Sequence, residues 1–420
     1  MLGFFCGSIC VGNYLKDKLL RPIGRRGFIG SAITSLLGGL AIFRGGFVTS
    51  SEVKTPDSKI SGLDFSLPGR LGNPNLTLLE DPRLDPRIRD AYLKVPLFST
   101  PPPPISINPS YEEAIDLVEW MDKAMESRKV LGEESMPSFA DITSTKEMIS
   151  DKSGHKIELY LDRPMDTDGP IPCIVHFHGG GMSFSSAKNP YTIRWRKSLA
   201  QQGALVIGVE FSNQTLHEGN HPFPAGLNDC AESVIWANKN RSKLGISSIV
   251  ITGESGGGNL VLATAIKANK EGWIDAIDGV YSLAPMIIGI YGPELPPNLA
   301  SYRENLDYVG NLPLVRNMTK VYDPNDMHGE NSLAWPFFAK ESELRGLPPH
   351  IIVNYELDLI RDDGVVFAQK LRAAGVEATS IVVNGADHVP EIAMPDTIPE
   401  LTRDRLISIA EFARGVQSQR

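Results

Sequence analysis

Residues 249–262 read Ile-Val-Ile-Thr-Gly-Glu-Ser-Gly-Gly-Gly-Asn-Leu-Val-Leu, and this stretch decides the fold. Ile249, Val250, Ile251 and Thr252 are all β-branched, the composition of a buried strand. Gly253 then opens a turn, Ser255 stands at its centre, and an apolar stretch suited to a helix follows. Gly253-Glu254-Ser255-Gly256-Gly257 matches G-x-S-x-G, a sharp strand-to-helix turn that holds a serine in a strained conformation with its hydroxyl exposed. Positions on either side of the serine must be small for strand and helix to approach, and Gly253, Gly256 and Gly257 meet that need. The pattern alone is weak, because glycine and serine are common. The strand before it and the helix after it supply the context it requires. The competing reading is a glycine-rich phosphate loop, but no lysine follows the glycines, which excludes a P-loop.

Outward from this turn the chain alternates. Apolar segments at 156–161, 171–178, 204–209, 248–252, 277–283, 350–354 and 378–383 read as strands. Periodic segments at 227–243, 259–269, 364–374 and 401–414 read as helices. Strands and helices alternating at this spacing imply a mostly parallel sheet covered on both faces. Ahead of the sheet, 111–129 is amphipathic, with Ala114, Leu117, Val118, Met121 and Met125 at helical spacing. Its apolar face could cover a pocket or simply pack in the core. Residues 50–110 are loop-rich, and Pro101–Pro104 stiffens the chain as polyproline II. Residues 285–349 interrupt the alternation and are expected over the strand ends as part of a lid.

A serine hydroxyl needs a base within hydrogen-bond reach, a carboxylate to orient that base, and donors aimed at the developing oxyanion. Three histidines follow the turn: His328, His350 and His388. His328 lies in the interruption and His350 opens an apolar strand, a structural position. His388 lies in Asn384-Gly385-Ala386-Asp387-His388, just beyond the last strand, where an open α/β sheet meets its ligands. It is the expected base. The stretch after strand 350–354 offers Glu356, Asp358 and Asp362. Glu356 could brace the loop, and Asp362 with Asp363 suits the N-cap and first turn of the next helix. Asp358 is the expected orienter, with Glu356 and Asp362 as competitors. His178-Gly179-Gly180-Gly181 follows strand 171–177, so the amides of Gly180, Gly181 and Gly256 are expected to form the oxyanion hole.

Two metal patterns compete. His217-Glu218-Gly219-Asn220-His221 is literally H-E-x-x-H, but that motif works only on a helix, and Gly219, Asn220 and Pro222 oppose one. His176 and His178 share a strand face without a third ligand in sequence, and His178 is better placed to brace the glycine loop. No metal site is expected.

The composition is that of a globular protein, 42% hydrophobic and 22% charged. A net charge of −9 argues against nucleic acid as a partner. The four cysteines, Cys6, Cys10, Cys173 and Cys230, make no disulfide framework and no Cys-x-x-Cys. At the N-terminus, Lys16, Lys18, Arg21, Arg25 and Arg26 face a single acid, Asp17, and precede a small-residue apolar run over 27–43. Arg25-Arg26-Gly27-Phe28-Ile29 is close to a twin-arginine export signal. Residues 1–48 are therefore read as an export signal, giving a periplasmic or extracellular protein with no stable membrane insertion once it is removed. An uncleaved anchor or a cytoplasmic basic terminus is the alternative, since no clean cleavage site follows and Arg44 ends the run.

Four motifs in order resemble the hormone-sensitive-lipase-like family of α/β-hydrolases: His178-Gly179-Gly180-Gly181, His221-Pro222-Phe223-Pro224-Ala225-Gly226-Leu227-Asn228-Asp229, the Ser255 turn, and Glu356-Leu357-Asp358-Leu359-Ile360-Arg361-Asp362. The resemblance spans roughly residues 110–415. It departs from the commoner elbow, G-D-S-A-G-G, at Glu254 and Gly256, and Leu359 stands where proline often follows the triad aspartate. It implies a single α/β-hydrolase domain over 49–420, with a helical cap drawn from about 50–135 and 286–345. It further implies Ser255 as nucleophile, Asp358 and His388 as its partners, Gly180, Gly181 and Gly256 as the oxyanion hole, and no cofactor. The expected activity is hydrolysis of short- to medium-chain carboxylic esters through an acyl-enzyme. An amidase or formamidase on the same groups is an alternative. So is a non-catalytic small-molecule receptor of this fold, although the plant gibberellin receptors that take that form lack the histidine present here as His388.

Overall fold

The computed structural model describes residues 66–416, apart from 96–102, 104, 152, 216–220, 292–294 and 297. The expected export signal over 1–48 lies outside the described residues, as do the first part of the expected cap and His217–Asn220 of the H-E-x-x-H pattern.

The chain enters its sheet through two antiparallel strands, β1 (Ile142–Ser150) and β2 (Lys156–Pro164). Six more strands follow: β3 (Ile171–Phe177), β4 (Leu205–Glu210), β5 (Ile246–Glu254), β6 (Gly279–Leu283), β7 (His350–Tyr355) and β8 (Ala378–Val383). Their order across the sheet is β1-β2-β4-β3-β5-β6-β7-β8, parallel from β4 onward, with β2 antiparallel to β4. Burial follows position. Every residue of β3, β4 and β6 is buried, whereas β1 and β8, at the edges, alternate or lie open. That is why the central strands read as unbroken apolar runs.

The two faces of the sheet support separate cores. Cys173, Val175 and Phe177 of β3 and Ile249 and Ile251 of β5 pack under the helices Ala225–Lys239, Gly256–Glu271 and Arg361–Ala373. The intervening Ile174 and Val250 join Trp195, Leu199, Ile409 and Ala413 on the opposite side, under the helices Pro190–Ala200 and Pro399–Gly415. Period-2 alternation within each strand distributes one side chain to each core.

Three expectations need correction. The helix read over 111–129 is two helices, Tyr111–Ala124 and Glu126–Glu134, separated by Met125 at ψ 2°. Ala114, Leu117, Val118 and Met121 are buried as their spacing requires, but residues 126–129 contain no apolar side chain to keep the second segment in the same groove. The helix read over 227–243 ends at Lys239, because the Asn240 side chain turns back to donate to the Trp236 carbonyl at 2.8 Å. Asp362 is not an N-cap: the cap is Ile360, and Asp362 and Asp363 are buried in the first turn. Asp362 accepts from the Ser301 amide at 2.9 Å, and Asp363 accepts from the Tyr302 hydroxyl at 2.6 Å. Both acids therefore anchor the segment 285–349 to the helix Arg361–Ala373 that follows β7.

Within that segment, the helix Leu312–Tyr322 packs against the helix Tyr111–Ala124. Leu314 and Val321 meet Ala114, Leu117, Val118 and Met121, with Phe184 beneath. The two lie over the C-terminal ends of the strands. Among the described residues no helix is long and apolar enough to cross a membrane.

Candidate active site

Ser255 follows β5 directly and caps the helix Gly256–Glu271 with φ 55° and ψ −116°. A serine adopts that backbone only when its surroundings impose it. They do so here by close approach: a Cβ on Gly257 would stand 2.0 Å from the Phe177 carbonyl oxygen, so only glycine lets the elbow helix meet β3. The Ser255 amide donates to the Leu283 carbonyl at 2.9 Å, fixing the turn against β6.

His388 stands beyond β8, and its Nδ1 donates to Asp358 Oδ2 at 2.6 Å. The Asp358 side chain is 4% exposed. Burial opposes the imidazolium, but the charge and hydrogen bond of Asp358, reinforced by Asp387 and Glu254, outweigh it and hold the His388 pKa above its ordinary value. The structure thus brings Asp358, and neither competitor, to His388. Glu356 Oε2 instead accepts from the Gly385 amide at 2.8 Å, bracing the loop that carries His388. His350 is buried under Pro348, its Nδ1 donating to that carbonyl at 2.6 Å, and burial pushes its pKa down to about 4. His328 packs against Phe223.

Ser255 and His388 face one cavity of about 200 Å³. Among the described residues no hydrogen bond joins Ser255 Oγ to His388; such contacts are commonly long in ligand-free sites and tighten with substrate. Gly180 and Gly181, at φ 111° and 57°, line the same cavity. The Gly181 nitrogen lies 2.6 Å from where a Cβ on Gly256 would stand, so the glycine loop and the elbow are in contact. The backbone N–H groups of Gly180, Gly181 and Gly256 make no hydrogen bond to another described residue. The roof is apolar and rich in methionine: Met121, Met125 and Met318 come from the helical segments above the sheet.

Of the further residues that support this arrangement, His178 is expected from the sequence to brace the glycine loop, and the others give no sequence signal. Glu254 accepts from the Gly179 amide at 2.7 Å through Oε1 and from His176 Nε2 at 2.9 Å through Oε2. It ties the elbow to the start of the glycine loop and gives buried His176 its partner. His178 itself donates from Nδ1 to the Gly179 carbonyl at 2.7 Å and stacks on Phe211. Burial pushes its pKa down to about 4, so the ring is neutral. Asn305, in the segment 285–349, donates to the carbonyls of Glu356 and Asp358 at 2.9 and 2.8 Å. Asp387, beside His388, accepts from the Tyr92 hydroxyl at 2.5 Å, and burial together with the charge of Asp358 pushes its pKa up to about 6. Apart from His178 and the adjacent Gly179, none of these partners is close in sequence, and their pairing required the folded chain. Among the described residues no group of three or more His, Cys, Asp or Glu is placed to hold a metal ion.

Comparison with known proteins places this geometry in context. A family model described as alpha/beta hydrolase fold matches residues 174–391. A solved structure of brefeldin A esterase, described as a bacterial homologue of human hormone-sensitive lipase, superposes with a TM-score of 0.80 at 34% identity, covering 85% of this chain and 100% of that one. An arylesterase of Saccharolobus solfataricus is 30% identical over 217 residues, 51% of this chain and 67% of that protein. The carboxylesterase NlhH of Mycobacterium tuberculosis is 28% identical over 210 residues, 49% of this chain and 62% of that protein.

Proposed function

The chain belongs to the alpha/beta hydrolase fold family, among the esterases related to hormone-sensitive lipase, and from that premise we propose that it is a carboxylesterase working through Ser255, His388 and Asp358. Ser255 attacks the ester carbonyl while His388 Nε2 takes its proton. Asp358 holds the imidazole in the tautomer that leaves Nε2 free and stabilises the cation that forms. The amides of Gly180, Gly181 and Gly256 receive the oxyanion. His388 returns the proton to the leaving alcohol, and water, activated by the same imidazole, releases the acid from the acyl-enzyme.

The observation that carries this reading is the 2.6 Å bond from His388 Nδ1 to buried Asp358, in the wall of a cavity that also contains Ser255 and unengaged glycine amides. The modest cavity and its methionine roof support short- to medium-chain acyl groups, which flexible thioether side chains can accommodate. No cofactor is needed for any step. A burst of p-nitrophenol from p-nitrophenyl butyrate, abolished in Ser255→Ala, is the expected result. Folded wild-type protein that gives neither burst nor turnover would remove the proposal. Faster cleavage of the corresponding p-nitroanilide would replace it with an amidase.

A further inference from the structure

Ser185, Asn189 and Tyr191 form a hydrogen-bonded triangle beside the glycine loop. Asn189 Nδ2 lies 2.7 Å from Ser185 Oγ and 2.9 Å from Tyr191 Oη, and the two hydroxyls are 3.0 Å apart. Ser185 is 5% exposed and Asn189 8%. Ser185 sits at φ 81°, in the left-handed region, and its carbonyl is held by Asn213 Nδ2 at 3.1 Å. Ser185 and Tyr191 line the same cavity as Ser255 and His388.

The hydrogens of this triangle can be counted. Three edges need three hydrogens. Were the amide corner an oxygen, the two hydroxyls would supply only two, leaving one pair of oxygens in unbridged contact. With nitrogen at that corner, four hydrogens serve three edges. Both amide hydrogens are engaged, one hydroxyl donates to the other, and one O–H is left over. Burial pushes the Tyr191 phenol up to about 12, so its hydrogen is present at any physiological pH. Neither hydroxyl has a further protein acceptor among the described residues. That O–H, in a wall formed largely of apolar side chains, is a donor that a ligand oxygen can accept from.

We propose that this triangle is a specificity subsite that reads an acceptor oxygen on the substrate, remote from the scissile ester. The preferred substrates are then esters whose acyl chain or alcohol carries a second neutral oxygen (a carbonyl, ether or hydroxyl), in preference to plain alkyl esters of the same length. The proposal rests on the esterase reading above. It adds a substrate class and makes Ser185 and Tyr191 binding residues.

The test compares kcat/KM across two isosteric series. One is p-nitrophenyl hexanoate against its oxa- and oxo-analogues, with the oxygen moved along the chain. The other is alkyl butyrates against alkoxyalkyl and hydroxyalkyl butyrates. At one position the oxygenated ester is expected to exceed its plain counterpart by about tenfold, the worth of one good hydrogen bond. In Ser185→Ala/Tyr191→Phe that ratio falls to about one. Either single variant keeps much of the preference, because the remaining hydroxyl then carries the free hydrogen. A purely structural role would lower both rates together and leave the ratio unchanged, which would overturn the proposal. So would a wild-type enzyme with no preference above about twofold at any position. Should the double variant fail to fold, Ser185→Gly/Tyr191→Phe, which also removes both hydroxyls and relieves the left-handed backbone at position 185, takes its place with the same expected ratio of about one. Wild-type protein that hydrolyses plain esters without an oxygen preference sinks only the subsite. Folded protein that hydrolyses neither kind sinks the esterase reading and the subsite with it.

Discussion

Replacing Glu254 tests how the elbow and the glycine loop are held together. Its buried carboxylate accepts from the Gly179 amide at 2.7 Å and from His176 Nε2 at 2.9 Å. In Glu254→Ala both donors lose their acceptor inside the protein. A buried donor left unsatisfied costs about 1–3 kcal/mol, so two give roughly 2–6 kcal/mol of lost stability. The released Gly179 amide lies next to Gly180, one of the proposed oxyanion donors. Losing such a donor outright costs about 10²–10³ in kcat, and a loosened one should cost about 10–100-fold. Glu254→Gln separates hydrogen bonding from charge. The amide oxygen can still accept from Gly179, and the amide nitrogen can donate to His176 once the imidazole proton moves to Nδ1. His176 Nδ1 has no partner among the described residues, so the moved proton is a buried unsatisfied donor; the glutamine variant should lose about 1–3 kcal/mol of stability, less than the alanine variant, and stay within about tenfold in kcat. Both variants remove a negative charge that raises the His388 pKa, so in both the acid limb of kcat/KM should move to lower pH. The assays are urea unfolding and p-nitrophenyl butyrate hydrolysis from pH 5 to 9. A Glu254→Ala enzyme equal to wild type in both would refute the brace. A glutamine variant as damaged as the alanine variant would show that charge, not hydrogen bonding, does the holding.

Asp358→Asn should lower kcat by about 10⁴, since the amide favours the wrong imidazole tautomer, and should shift the acid limb downward as the His388 pKa falls; a loss below tenfold would point to another carboxylate. Burial pushes the Asp363 carboxyl up to about 8, so between roughly pH 4 and 8 the folded protein holds a proton that the unfolded chain has released, and this group makes stability fall as pH rises. In Asp363→Asn the decline should flatten by about 1.4 kcal/mol per pH unit in urea titrations across that window, and an unchanged slope would contradict the assignment. We propose export through Arg25-Arg26 as well: Arg25→Lys/Arg26→Lys should leave esterase activity inside the cell on fractionation, and an undisturbed extracytoplasmic location would count against the signal.

Much of the scaffold could be read from order and pattern. The buried runs became β3 to β7, and the turn at Ser255 became a strand-to-helix corner at φ 55°. The boundaries that moved did so through local contacts with no periodic signature. Asn240 ended a helix by bonding Trp236, and a stretch without apolar residues broke the helix at Met125. Neither event changes the hydrophobic period on which the reading depended.

By itself, the sequence determined the elements whose constraints are local. A strained serine between glycines, a glycine loop after a strand and a histidine after the last strand are each recognisable, because a backbone conformation or a strand end restricts which residues can stand there. The tertiary structure decided partnership. Glu356, Asp358 and Asp362 lie within seven positions of one another, and composition could not rank them with finality. The fold sends Glu356 to the Gly385 amide, Asp362 to the Ser301 amide and Asp358 to His388. The Glu254–His176 brace, the Asn305 clamp and the Ser185–Asn189–Tyr191 triangle likewise depend on directions set by the packing of the folded chain. A hydrogen bond requires distance and angle within narrow limits, and only the packed chain supplies both.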